Sequence, residues 1–254
     1  MTARFLLVFA GLAFLASFPV RADLVDAIAR VKPSVVMVGT YKKLDSPPLK
    51  LRGTGFVVGD GRIVATNAHV VIDQNEGGEL ASIIVQVPGS TSEQRMRSAS
   101  VLALDKSHDL ALLRIDGPAL PALTLRDSGT VKEGQTIAFT GFPIGGALGF
   151  SPVTHRGMVS AITPIALPSG NAQQLKENVI RRLKSGSFDI FQLDGTAYPG
   201  NSGGPLFDVE TGEVIGVINM VLVKGTKEAA LSHPSGISYA IPGNFLRDLL
   251  NNSR

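Results

Sequence analysis

The sequence predicts an all-β protein built from two successive units of roughly 100 residues each. Three observations predict it. Short runs of strand formers recur along most of the chain, turn residues (Gly, Pro, Asp, Asn) separate them, and a Gly- and Pro-containing stretch from Asp116 to Gly134 divides the runs into two series. Many short β-rich segments spaced by turns favour a sandwich or a barrel.

The elements follow in order. Residues 1–22 open with Arg4 ahead of an apolar run from Phe5 to Phe18 and close on Val20-Arg21-Ala22, the pattern of a secretory signal peptide. The run is shorter than the roughly 18 to 20 apolar residues that span a bilayer, and Ser17 and Pro19 interrupt its end. The domain therefore begins near residue 23. DLVDAIARV, residues 23–31, reads as a short helix with Asp23 as N-cap and Leu24, Ile28 and Val31 on one face. The first series of strand-like runs is SVVMVGT, RGTGFVVGDGRIVAT, LASIIVQV and LALLRI, within about 34–115. After the linker at 116–133 come GQTIAFTGF, SPVTHRGMVSAI, SFDIFQLD, GPLFD, GEVIGVINMVLV and GISYAI, within about 134–241. PGNFLRDLLNN places Phe245, Leu246, Leu249 and Leu250 on one stripe and predicts a terminal helix over 243–251. A further helix is predicted inside the second series, in AQQLKENVIRRLK, where Leu175, Val179, Ile180 and Leu183 recur at helical spacing. It reads either as an amphipathic helix lying on the barrel with its charges solvated or as a movable or partner-binding insertion near the functional site.

Composition excludes several classes. The formal net charge of +3 includes Arg4 and Arg21 of the leader, so the domain itself is nearly neutral and carries no footprint for nucleic acid. Cysteine is absent, which excludes disulfides and thiolate metal sites. No later segment is apolar enough to span a bilayer, and the four histidines form no cluster of metal-ligand spacing with acidic residues. No cofactor is expected. An exported protein, in a bacterial periplasm or secreted, fits these features.

One stretch carries the chemistry. In GTAYPGNSGGPLFD, residues 195–208, Ser202 stands between glycines on both sides. Such a cluster makes a sharp turn between strands, or it frees backbone N–H groups around a nucleophile so that they bind an oxyanion. Partners elsewhere decide between the two. A serine hydroxyl needs a base to take its proton and a third group to orient that base. His69 lies in IVATNAHVVID, where a strand ends and a short helical turn begins, and is either the base or a structural histidine. Asp109 in KSHDLALLRI directly precedes an apolar strand and suits the orienting acid, whereas Asp105 reads as a turn residue. His108 reads as exposed, His155 as a strand residue and His233 as a loop residue, none with a role.

His69, Asp109 and Ser202 follow in the order of chymotrypsin-type double barrels. TNAHV, HDLALL and GNSGGPL resemble the three catalytic motifs of trypsin-like serine peptidases, in particular the HtrA (Deg) family. RGTGFVV, TGFPIG, GEVIGVINM and GISYAIP extend the resemblance over about residues 32–247. The resemblance implies two six-stranded antiparallel β-barrels of chymotrypsin-like type with the cleft between them, short terminal helices and one inserted helix at 172–184. It implies Ser202 as nucleophile, His69 as general base and acid, and Asp109 as the group that orients the imidazole. The N–H groups of Gly200 and Ser202, with Asn201 shaping the turn, would form the oxyanion hole. Thr196, six residues before the serine, would sit at the base of the main specificity pocket, with Ile218, Asn219, Met220 and Tyr239 lining it. Without an aspartate at 196, a preference for small or medium aliphatic side chains over Lys and Arg is expected.

The activity so implied is that of an endopeptidase acting on exported or misfolded polypeptides. HtrA proteins typically carry a PDZ domain after the peptidase and commonly form trimers. This sequence ends at Arg254, so the expectation is a peptidase domain without PDZ, with a homotrimer as the family's assembly. The 165–187 insertion falls where the family has an activating loop and is expected to influence the oxyanion hole. Two alternatives stand beside this reading. GNSGG also satisfies the G-x-S-x-G pattern of esterases, which requires a helix directly after the serine. A chaperone-like peptide binder on the same scaffold is the other, since fold never proves turnover.

Overall fold

The computed structural model describes residues 24–41, 43, 46, 48–71, 82–87, 96–146, 151–164, 188–219 and 237–253. The expected leader, the inserted helix at 172–184 with the rest of 165–187, Met220 and His233 lie outside these residues.

Twelve strands form two closed barrels among the described residues. The first contains β1 (Val35–Tyr41), β2 (Leu49–Val58), β3 (Ile63–Asn67), β4 (Ser82–Gln86), β5 (Met96–Asp105) and β6 (Leu110–Ile115), in the order β1-β2-β3-β6-β5-β4. The second contains β7 (Thr136–Gly141), β8 (Val153–Pro164), β9 (Asp189–Asp194), β10 (Pro205–Asp208), β11 (Val214–Asn219) and β12 (Ile237–Pro242), in the order β10-β11-β12-β9-β8-β7. All neighbouring strands pair antiparallel. This is the double six-stranded barrel that the resemblance implies. RGTGFVVGDGRIVAT, one run in the sequence, is a hairpin of β2 and β3, closed where Asp60 Oδ1 accepts from the Arg62 N–H at 2.9 Å.

β5 has no counterpart among the runs picked out from the sequence. Its residues MRSASVLALD are exposed or half-buried throughout, including Met96 and Val101 at 48% exposure, so no apolar alternation marks it. It forms because the ladders of β4 and β6 both need a partner along their length.

Among the described residues three short α-helices frame the barrels: α1 (Leu24–Val31), α2 (Ala68–Val71) and α3 (Gly243–Asn252). Ala27 and Val31 of α1 are buried with Val35 and Met37 of β1 and with Ala138, Phe142 and Phe207 of the second barrel. Each barrel has its own interior. Val36, Val57, Val64 and Leu113 fill the first, and Ile137, Phe139, Leu193 and Ile215 the second. A further cluster lies between the barrels, joining Phe56, Leu110 and Leu112 to Ile190, Val217 and Ile241 and to Leu246 and Leu250 of α3. Fully burying side chains of this size contributes about 1.5–3 kcal/mol each, so the two barrels are docked by apolar packing.

The docking brings particular strand ends together. Asn67, the last residue of β3, is in register with Leu110, the first of β6, which sets His69 and Asp109 just beyond one rung of the first barrel. Among the described residues, no helix is long and apolar enough to cross a membrane.

Candidate active site

Asp109 is the most constrained side chain of the site. It is 5% exposed, and its backbone has φ +56°, a left-handed conformation that Asp tolerates better than most side chains. The backbone N–H of His69 donates to its Oδ1 at 2.9 Å, and His69 Nδ1 lies 2.7 Å from its Oδ2. Asn219, at the end of β11 in the other barrel, donates through Nδ2 to the same Oδ2 at 2.8 Å. The Asp109 carbonyl accepts from the Ala68 N–H and from Asn67 Nδ2, each at 3.0 Å. Burial pushes the Asp109 carboxyl up, but the hydrogen bond and charge of the His69 ring, the His69 N–H and the Asn219 amide outweigh it. The group is held below the ordinary Asp value and is charged at neutral pH. A carboxylate only accepts, so His69 Nδ1 is the ring nitrogen that carries a proton toward Asp109, and in the neutral ring the lone pair is on Nε2.

The serine turn is held by its carbonyls. The Pro199 carbonyl accepts from the Ile144 N–H at 2.6 Å, the Gly200 carbonyl from the Thr54 hydroxyl at 2.6 Å, and the Asn201 carbonyl from the Gly204 N–H at 2.9 Å. In a trans peptide the N–H points opposite to the C=O. The Gly200 N–H therefore faces away from Ile144 and the Ser202 N–H away from Gly204. Neither donates to an acceptor among the described residues. Two positive φ values permit this curl, +104° at Gly200 and +86° at Gly203. A Cβ at Gly203 would also collide with the carbonyl of Thr54 and the hydroxyl of Thr66.

The turn is pinned against the histidine's own barrel. The Thr54 N–H donates to the Ser202 carbonyl at 2.8 Å, and a Cβ on Gly53 would touch both that carbonyl and Val70, the residue after His69, at 2.8 Å. Ser202 is 5% exposed. No hydrogen bond joins Ser202 to His69 among the described residues; in unliganded sites such contacts are commonly long and tighten when substrate is seated.

The remaining expected site residues divide by face. Asn201 is wholly buried, and both its side-chain polar atoms lack a partner among the described residues. Ile218 is buried in the second barrel with Ala197 and Ala240. Asn219 points across to Asp109. Tyr239 packs instead with Val217 and Ile241 against the cluster between the barrels, on the opposite face of the pleat from Ile218. Thr196 lies in the irregular segment between β9 and the serine turn. Ser238 holds that segment, accepting from the Ala197 N–H at 2.8 Å and donating to the Gly195 carbonyl at 2.7 Å.

Ser238, Thr54, Asn67 and the Ile144 N–H were not singled out from the sequence. For Ser238, Thr54 and Asn67 the signal is a small polar residue inside a strand run, which is too common to select one, and a backbone N–H such as that of Ile144 leaves no mark in the sequence. His108 was expected to be exposed; instead its side chain is only 25% exposed and it is packed between aromatic rings, because the turn before β6 folds it against α3. After Gly204 the chain enters β10 and forms no helix, so the strand–turn–helix elbow of the esterase pattern is absent.

The fold agrees with the family to which the chain belongs, the trypsin-like peptidases: the family model described as "Trypsin-like peptidase domain" matches residues 53–217. Within that class the similar proteins are HtrA-type. A probable periplasmic serine endoprotease DegP-like of Pseudomonas fluorescens is 32% identical over 199 residues, 78% of this chain and 34% of that protein. Serine protease HTRA1A of Danio rerio is 28% identical over 232 residues, 90% of this chain and 40% of that protein. The solved structure of the HtrA-type protease AlgW with tripeptide has a TM-score of 0.64 at 27% identity, over 90% of this chain and 62% of that one. The chain thus spans 34–40% of the length of these two curated relatives.

His155 of β8 stacks on Phe139 with ring centroids 5.0 Å apart and lies 6.0 Å from the ring of Tyr198, which leads into the serine turn. Its Nε2 is buried without a partner among the described residues, and burial pulls its pKa below the ordinary histidine value. The unfolded chain gains a proton at this residue as pH falls through about 6.5, while the folded chain gains it only at lower pH. Acidification from neutrality therefore costs stability at this site. Thermal melts across that window should show a smaller loss in His155→Phe than in the parent; equal losses would contradict a buried neutral ring.

Proposed function

We propose that the chain is a serine endopeptidase in which Ser202, His69 and Asp109 act as a catalytic triad through an acyl-enzyme. The observation that carries this reading is a conjunction. A buried carboxylate fixes the tautomer of His69, while the peptide N–H groups of Gly200 and Ser202 meet no acceptor among the described residues, in a turn pinned to the same barrel. Each half alone has structural explanations. Together they supply a base, an oriented imidazole and a receptor for an oxyanion.

In this mechanism the Ser202 Oγ attacks the scissile carbonyl carbon, and its proton passes to His69 Nε2. The carbonyl electrons move to oxygen, and the oxyanion is received by the N–H groups of Gly200 and Ser202. The resulting imidazolium is stabilised by the Asp109 carboxylate, which stays ionised. Collapse of the tetrahedral intermediate re-forms the C=O, breaks the C–N bond and passes the His69 proton to the leaving amine. Water then adds to the acyl-enzyme with the same imidazole as base, releasing the acid and the Ser202 hydroxyl. Thr54 serves both ends of this cycle by holding the Ser202 and Gly200 carbonyls away from the oxyanion position.

The substrate class is polypeptide, supported by the peptidase family and by the neighbouring structure of an HtrA-type protease with tripeptide. An extracytoplasmic location is supported by the leader pattern and by relatives named periplasmic. A preference for small or medium aliphatic side chains follows from Thr196 in place of an acid and from Ala197 and Ile218 in the wall of the second barrel.

Ser202→Ala should lower kcat by roughly 10⁴-fold or more with the fold retained. A fluorophosphonate probe should label the parent at Ser202 and leave the variant unlabelled; an unlabelled but peptide-binding parent would instead support the binder reading. Profiling on a peptide library should show cleavage after aliphatic residues, and cleavage mainly after Lys or Arg would overturn the assignment of the pocket.

A further inference from the structure

His108 stands directly before Asp109, and its ring is held on three sides. Nδ1 lies 2.6 Å from Asp105 Oδ2. The ring stacks on Phe245 of α3 with centroids 3.9 Å apart and planes 18° apart. Phe188, which leads into β9, meets it edge-on at 4.7 Å and 66°, and Phe188 and Phe245 touch each other at 5.2 Å. The second barrel and the terminal helix thus grip the residue next to the buried acid of the first barrel.

We propose that His108 is a positioning residue for Asp109, acting as a ring wedge that fixes the left-handed backbone from which the carboxylate reaches His69. On its C-terminal side Asp109 is anchored by its carbonyl, which accepts from Ala68 and Asn67, and by the β6 ladder that follows. On its N-terminal side the chain reaches Asp109 through residue 108, in the turn that the Asp105–Leu110 rung of the ladder closes. Consecutive Cα atoms are held about 3.8 Å apart, so the position of His108 limits the backbone path by which the chain enters Asp109. A hydrogen bond as short as the 2.7 Å contact to His69 weakens steeply with misalignment.

The ring can be separated from the turn that carries it. The turn is closed by the backbone N–H groups of Ser107 and His108, which donate to Asp105 Oδ1 at 2.9 and 3.1 Å. Both donors survive His108→Ala, so that variant removes the wedge and keeps the turn. His108→Phe retains the stacked ring and loses only the bond to Asp105 Oδ2. Phe188→Leu keeps apolar volume against the ring and removes its aromatic edge.

The kinetic consequence rests on the triad reading given above; the effect on the Asp109–His69 contact does not. The experiment combines steady-state kinetics on a peptide substrate with proton NMR of the His69 Nδ1–H that bridges to Asp109. His108→Ala should lower kcat roughly 10-fold with KM within about 2-fold, since angstrom-scale misplacement in a site costs up to about 100-fold. The bridging proton should shift or broaden. His108→Phe should recover most of the loss. Phe188→Leu should lower kcat less than His108→Ala and add little to it in the double variant, because both act through one contact. An unchanged kcat and an unchanged bridging proton in His108→Ala would overturn the proposal, even if its melting temperature fell, since the ring would then be packing alone. A parent without turnover would sink the triad reading, and the bridging proton would still decide this one. Should His108→Ala not fold, the same readouts on His108→Phe and Phe188→Leu decide: a normal proton and kcat in Phe188→Leu would count against the wedge.

Discussion

Everything in the site depends on a carboxylate that is buried and charged at once. Desolvation pushes the Asp109 carboxyl toward its neutral form, and a protonated acid would hold His69 less well. Three donors prevent this, and they come from different parts of the molecule: the ring and backbone of His69 from the end of β3, and the amide of Asn219 from the end of β11. One of the three belongs to the second barrel. The donors that keep the acid charged therefore include one that reaches it only because the barrels are docked, a docking that the apolar cluster around Phe56, Val217 and Leu246 maintains.

The serine turn obeys the same rule from the opposite direction. It belongs to the second barrel, yet Thr54 of β2 in the first holds the carbonyl of Ser202 with its N–H and that of Gly200 with its hydroxyl. The hydroxyl also accepts from the Phe142 N–H at 3.0 Å, tying in the segment after β7. The turn is also fixed within its own barrel, where the Gly203 N–H donates to the Ile218 carbonyl at 2.9 Å. Since Asn219 follows Ile218, the proposed nucleophile and the acid are connected through two consecutive residues of β11. A displacement of that strand end moves both.

Much of this architecture was legible in the sequence because apolar runs and turn residues write it plainly. The strands β1, β6, β7 and β12 fall in the predicted runs, and His69 and Asp109 do lie where a strand ends and where one begins. The reason is local: backbone periodicity and turn chemistry are properties of neighbouring residues. β5 was invisible because its side chains are exposed or half-buried, and its formation is dictated by partners far along the chain. Thr54 and Ser238 were invisible for a related reason. Each is a small polar residue in a strand, and its importance comes only from the carbonyl it meets across the fold. Tyr239 and Ile218 show the limit of resemblance without coordinates, since the pleat sends them to opposite faces. His108 was read as exposed because nothing in KSHDL announces the two aromatic rings that come from Phe188 and Phe245.

The buried charge of Asp109 holds the proton of His69 on Nδ1. Asp109→Asn tests this most directly, because it keeps the shape and replaces one acceptor oxygen by a donor. With the fold intact by circular dichroism, kcat on a peptide substrate near neutral pH should fall by roughly 10³- to 10⁴-fold. Turnover within about tenfold of the parent would show that the imidazole works without that charge, and would contradict the account.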